Sequence, residues 1–155
     1  MKNIKLIFAT ILSLIIISCE NEPVDPVLIS QNINNDVFTA NINGVAFSDA
    51  TISVLQTSIN GVNFISIGGA RSNDNITINV KETLGIGSYN ITGANTDQVQ
   101  AKYIITNPSY NQTATLGIIS ITEKTATRIK GTFNFTTPNT PTPYIFTSGS
   151  FDVEL

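Results

Sequence analysis

Two shortages set the chemistry open to this 155-residue chain: a single cysteine, Cys19, and no histidine at all. Without imidazole, His-assisted serine and cysteine triads are excluded, and so are imidazole metal sites. One thiol forbids an intramolecular disulfide and every multi-cysteine metal centre. Carboxylate chemistry is left, and the acids are poorly arranged for it. Asp152 and Glu154 stand on one face of a prospective strand, at a spacing that imitates a glycosidase pair, but basic residues are at hand and a solvated ion pair is the simpler reading. Asn73-Asp74-Asn75 offers oxygens to a calcium ion, yet it lacks the Asp-rich loop ending in glycine and reads first as a turn. Gly68-Gly69 and Gly85-Ile86-Gly87 open no helix and have no lysine beside them, so they are not phosphate loops. Tyr89 and Tyr103 join Tyr110 and Tyr144 as potential stacking surfaces. Tyr110 and Tyr144 fall in or beside loops and are the candidate ligand contacts, with ring faces on which a sugar would stack. No catalytic residue, metal or cofactor is expected.

The elements around these residues begin with a leader. Lys2 and Lys5 precede an apolar run from Leu6 to Ile17 broken only by Thr10 and Ser13, too short for a bilayer span of roughly 20 residues and patterned as a secretory leader. Its end, Ile16-Ile17-Ser18-Cys19, resembles the lipobox of bacterial lipoproteins. There a small residue precedes the cleavage point and a thiol takes the diacylglyceryl group. The resemblance implies a signal peptide over 1–18, a lipidated Cys19 carrying several acyl chains, and an effectively permanent anchor in a lipid bilayer. Glu20-Asn21-Glu22 is similar to the export signal that sends lipoproteins of Bacteroidota to the cell surface. It equally suits an acidic linker, which leaves the periplasmic face as the alternative. Residues 19–36 carry Pro23, Pro26 and Asn34-Asn35-Asp36 with no sustained period, and read as a tether.

Composition and alternation point to one all-β domain over 37–155. Charged residues are only 12% of the chain, and Ile, Thr and aromatic residues suit a pleated, half-buried surface. Once Lys2 and Lys5 leave, six basic side chains face eleven acidic ones, a net −5. With no basic run, nucleic acid is not an expected partner. Val37–Ile42 and Val45–Ser48 flank Asn43-Gly44, and Thr51–Ile59 and Val62–Gly68 flank Asn60-Gly61, two hairpins with the turn dipeptide that tolerates positive φ. Ile76–Val80, Ser88–Ile91, Val99–Thr106 and Thr113–Thr122 follow as strands. Within the last, Leu116–Ile121 is nearly continuous and is expected to meet apolar surroundings on both sides. About ten strands and no mature helix predict an antiparallel β-sandwich, with a closed lipocalin-like barrel as the alternative.

The C-terminal pair allows a stricter expectation. Ile129, Gly131, Phe133 and Phe135 alternate with polar residues, as do Phe151, Val153 and Leu155. A hairpin centred near Pro141 then sets Arg128 opposite Glu154 and Lys130 opposite Asp152, with Ile129 and Val153 on the same face.

Phe38-Thr39-Ala40-Asn41-Ile42-Asn43-Gly44-Val45-Ala46-Phe47, Lys130-Gly131-Thr132-Phe133-Asn134-Phe135 and Thr147-Ser148-Gly149-Ser150-Phe151-Asp152-Val153 together resemble a lipoprotein family of Bacteroidota defined as an all-β domain of unknown function. The resemblance implies phylum and address and brings no catalytic residues. The functional expectation is a non-catalytic, membrane-anchored lipoprotein of the outer membrane, surface-exposed, whose sandwich binds a glycan or protein partner through loops far from the tether. A structural envelope component without a ligand is the alternative, or a carrier of small apolar ligands if the fold is a barrel.

Overall fold

The computed structural model describes residues 35–48, 50–138 and 142–155. Eleven strands form, and the two Asn-Gly hairpins sit where alternation puts them: β1 (Val37–Ile42) with β2 (Val45–Phe47), and β3 (Thr51–Ile59) with β4 (Val62–Ala70). Both turns have positive φ at both central residues, 50° and 83° at Asn43 and Gly44, 52° and 78° at Asn60 and Gly61, as a type I′ turn requires. There follow β5 (Asp74–Lys81), β6 (Gly87–Ile91), β7 (Val99–Ile105), β8 (Tyr110–Thr113), β9 (Leu116–Lys124), β10 (Arg128–Thr136) and β11 (Ile145–Glu154).

These strands make two antiparallel sheets, β2-β1-β11-β10-β9-β6 and β3-β4-β5-β7-β8. The sheets do not close on one another, so the fold is a sandwich and not a barrel. Gly69 of β4 lies under the Phe38 ring of β1 and Arg71 over Phe47 of β2. The segment after β5 is instead bonded by Lys124 of β9. β5 therefore spans most of the width of the larger sheet, and the strands of the two sheets cross. Between them lies one core. Ile67, Ile76, Ile78, Val80 and Val99 come from one sheet, and Ile119, Ile129, Phe146, Phe151 and Val153 from the other, all essentially inaccessible. The alternate positions of each strand supply them, as period-two patterning dictates.

The terminal hairpin pairs in the expected register, Arg128 opposite Glu154, Ile129 opposite Val153 and Lys130 opposite Asp152. It shifts by one residue between Phe133 and Phe135. Opposite that shift, Ser148 takes a positive φ of 51°, a bulge in β11.

Two expectations are corrected. Residues 110–113 form a separate strand, because Thr113–Thr122 is interrupted where Ala114 N–H turns back to the Ala101 carbonyl and Thr115 N–H reaches the Thr136 carbonyl. The eleven strands among the described residues agree with the expected count of about ten. Leu116–Ile121 is also buried on one face only: Ile119 and Ile121 enter the core while Leu116 is 69% and Ile118 41% exposed, because the described residues put no layer on the other side of the larger sheet.

Candidate functional site

Tyr110 and Tyr144 are brought together. Tyr110 is 8% exposed, and its hydroxyl donates to Thr137 Oγ1 at 2.7 Å. Tyr144 is half-buried against the same cluster. Their rings lie 4.9 Å apart edge to face, and each meets Tyr103, at 6.1 and 5.0 Å. Tyr103 in turn packs on Phe146 at 4.9 Å. Much of the ring surface that looked available in the sequence is spent on other rings, because β8 pairs with β7 and the Thr137 hydroxyl holds both Tyr110 and the Tyr144 backbone. Tyr110 is thus a core position and Tyr144 a half-buried one packed against it.

The acids are similarly committed. Asp74, the centre of Asn73-Asp74-Asn75, takes two hydrogen bonds from the Arg71 guanidinium at 2.6 and 2.8 Å and one from the Tyr103 hydroxyl at 3.0 Å. Arg71 holds the Asp74 carboxyl below its usual range, against the opposing effect of burial, and Tyr103 helps. Tyr103 itself is pushed up by burial first and then by the adjacent carboxylate. Asn73 binds the Asn107 backbone through both ends of its amide, at 2.9 and 3.0 Å. Asp152 receives Arg128 Nε at 2.6 Å and Lys130 Nζ at 2.9 Å, and Lys130 and then Arg128 hold its carboxyl low despite some desolvation. The Arg128 pairing runs diagonally, to Asp152 and not to Glu154 opposite, since a residue two positions away on the same face is within its reach. Among the described residues no three His, Cys, Asp or Glu side chains converge as metal ligands.

Two of the surfaces formed by the described residues gather exposed aliphatic side chains. The first lies on the outer face of the larger sheet, at the end opposite Val37. Leu116 stands beside Thr136, which stands beside Ile145, and Ile118 stands beside Asn134. Ile145 is 50% exposed. Shallow depressions of about 380 and 330 Å³ flank Leu116, and no charged residue lines either. The second is a cleft of about 460 Å³ at the other end of the same strands, walled by Val54, Leu55 and Ile65 and floored by Lys124, Thr125 and Leu155. Lys124 Nζ there donates to the carbonyls of Glu82 and Leu84, at 2.5 and 2.8 Å, which fixes the segment after β5. The sequence signalled neither surface: the first depends on the pairing register of the three successive strands β9, β10 and β11, and the second joins β3 and β4 to Lys124, Thr125 and Leu155, far along the chain.

Cys19 and the whole of 1–34 lie outside the described residues, so the proposed acylation site has no geometry to report. No curated protein and no solved structure matches the chain. A family model does match, over residues 34–153, which takes in every described strand but the last residue of β11 and all three motifs quoted above. The chain belongs to that family, the domain of unknown function DUF6252.

Proposed function

We propose that this protein is a non-catalytic lipoprotein, anchored in the outer membrane through acylated Cys19 and facing the cell surface, whose sandwich binds a protein partner. The observation that carries the binding reading is the uncharged aliphatic patch of Leu116, Ile118 and Ile145 on an open sheet face. Aliphatic side chains grouped on a rigid face favour a protein partner. A glycan is the lesser fit, because the tyrosine rings that would stack on it are turned inward. The patch lies at the strand ends away from Val37. Support for the anchor comes from Ser18-Cys19 after an apolar leader and from the acidic residues that follow.

Cys19→Ala should leave the β-domain folded and release it from the membrane fraction; retention there would overturn the anchor. Crosslinking of the anchored protein on intact cells, followed by the triple change Leu116→Ser, Ile118→Thr and Ile145→Thr, tests the patch. The expected result is loss of one discrete crosslinked species, with glycan-array binding absent in both forms. The inward tyrosines also favour a second reading, a structural envelope component without a ligand. In that case the triple change alters no crosslink and the envelope weakens when the gene is removed.

A further inference from the structure

We propose that two copies of the chain associate through β3, pairing antiparallel about a twofold axis at Leu55. Of the four strands that end the two sheets, β2, β6 and β8 have three, five and four residues, short enough to offer little template for pairing. β3 has nine, Thr51-Ile-Ser-Val-Leu-Gln-Thr-Ser-Ile59, with no charge and no proline. It is paired without a bulge to β4 alone among the described strands. Long, flat, uncharged edges of this kind are the ones that pair with another strand.

The hairpin turn decides which backbone groups are free. A two-residue type I′ turn makes Ile59 and Val62 a hydrogen-bonded pair, so the amides of Thr51, Ser53, Leu55, Thr57 and Ile59 point at β4. Those of Ile52, Val54, Gln56 and Ser58 point outward. These four positions are symmetric about Leu55. A twofold axis there sets Ile52 against Ser58 of the second copy and Val54 against its Gln56, each pair exchanging both bonds, about eight in all. Any register displaced by a single residue breaks this match. The side chains agree with it: Ser53 meets Thr57, Leu55 meets Leu55, and no charge faces a like charge, the usual obstacle to pairing identical edges.

The occupant is a second copy and not an unrelated strand for one further reason. Val54 and Gln56, on the edge strand, line the cleft over Lys124 and Leu155, and the same two residues of the second copy would extend that wall when β3 pairs. The two five-stranded sheets become one of ten strands, and Leu55, 64% exposed in one copy, is covered.

The full chain expressed in cells provides the test. Leu55→Cys should yield a disulfide-linked dimer on a non-reducing gel, since residues opposite each other in a non-hydrogen-bonded pair lie about 4.5 Å apart at Cα. The unsubstituted chain and Lys102→Cys, on the outer face of β7, should not. Two differently tagged copies should co-purify as wild type and lose co-purification at least tenfold when both carry Leu55→Asp. Co-purification should return when one carries Leu55→Asp and the other Leu55→Lys. Leu55 makes little contact within its own copy, so each variant should keep the β-sheet circular-dichroism spectrum. Equal crosslinking at Lys102→Cys, or co-purification indifferent to charge at Leu55, would overturn the proposal. Loss of the Leu116 patch leaves this result unchanged, so the two readings fail separately.

Discussion

Thr137 is 2% exposed, and its hydroxyl oxygen accepts both the Tyr110 hydroxyl, at 2.7 Å, and the Tyr144 N–H, at 2.9 Å. Thr137→Val keeps the shape and strands both donors, so it should lower unfolding stability by about 2 kcal/mol, measured by urea denaturation, whereas Tyr110→Phe should cost about 1 kcal/mol. Asp74→Ala leaves Arg71 and the Tyr103 hydroxyl without their acceptor and should likewise cost about 2 kcal/mol. Asp74 and Asp152 both ionise more readily than the ordinary aspartate at 3.8. A carboxyl lowered in the folded state stabilises it above its unfolded pKa, and that contribution disappears as pH falls through the folded value. Stability should therefore be level from neutral pH down to about 4 and then fall. Urea midpoints taken across that range should fall less steeply in the double variant Asp74→Asn, Asp152→Asn. Asp152 was legible as an ion-pair partner, because that depends on a neighbour directly across the strand, whereas Asn73-Asp74-Asn75, expected as a turn, enters strand β5 at Asp74. The inward turn of Tyr110 was not legible, since it depends on a hydroxyl 27 residues away.

At the level of elements, three glycines each lie beneath a phenylalanine ring. Gly69 is under Phe38, Gly131 under Phe151 and Gly149 under Phe133, and the last two are direct cross-strand pairs. A β-carbon at Gly131 would stand 2.5 Å from Phe151 Cζ. Gly131→Ala should therefore destabilise the fold by about 1–3 kcal/mol, read as a lowered urea midpoint. Ser148 bears the opposite prediction. At φ 51° a non-glycine residue is disfavoured, and Ser148→Gly should raise stability by up to about 1 kcal/mol in the same measurement. Alternation disclosed the strands and even the Arg128–Glu154 register, because turn dipeptides and period two act locally. It did not disclose the bulge at Ser148, which inserts one residue without a change of composition. Nor did it disclose β8, whose Tyr-Asn-Gln-Thr is as polar as a loop. The apolar run from Leu116 looked doubly buried because sequence carries no sign of whether a second layer covers a sheet.

On the scale of the whole molecule, sandwich and barrel share every local signal, and only whether the two sheets close on one another separates them. The crossing of the sheets follows from which ends of β4 and β5 reach β1 and β9. The position of the first strand has a mechanical consequence. β1 lies beside β11 and antiparallel to it, with Val37 opposite Asp152 and Ile42 opposite Phe146. At its base Asp36 accepts the Glu154 N–H at 3.0 Å, and the Asn35 carbonyl meets Arg128 at 3.5 Å. A force drawn out through Val37 and resisted near Ile145 slides these two strands lengthwise, so the ladder resists as a set. The same force resisted at Glu154 parts them one bond at a time. Single-molecule extension with handles at residues 35 and 145 should therefore need a markedly higher unfolding force than handles at 35 and 155. A domain held from that end and loaded at its far face is pulled along its resistant direction.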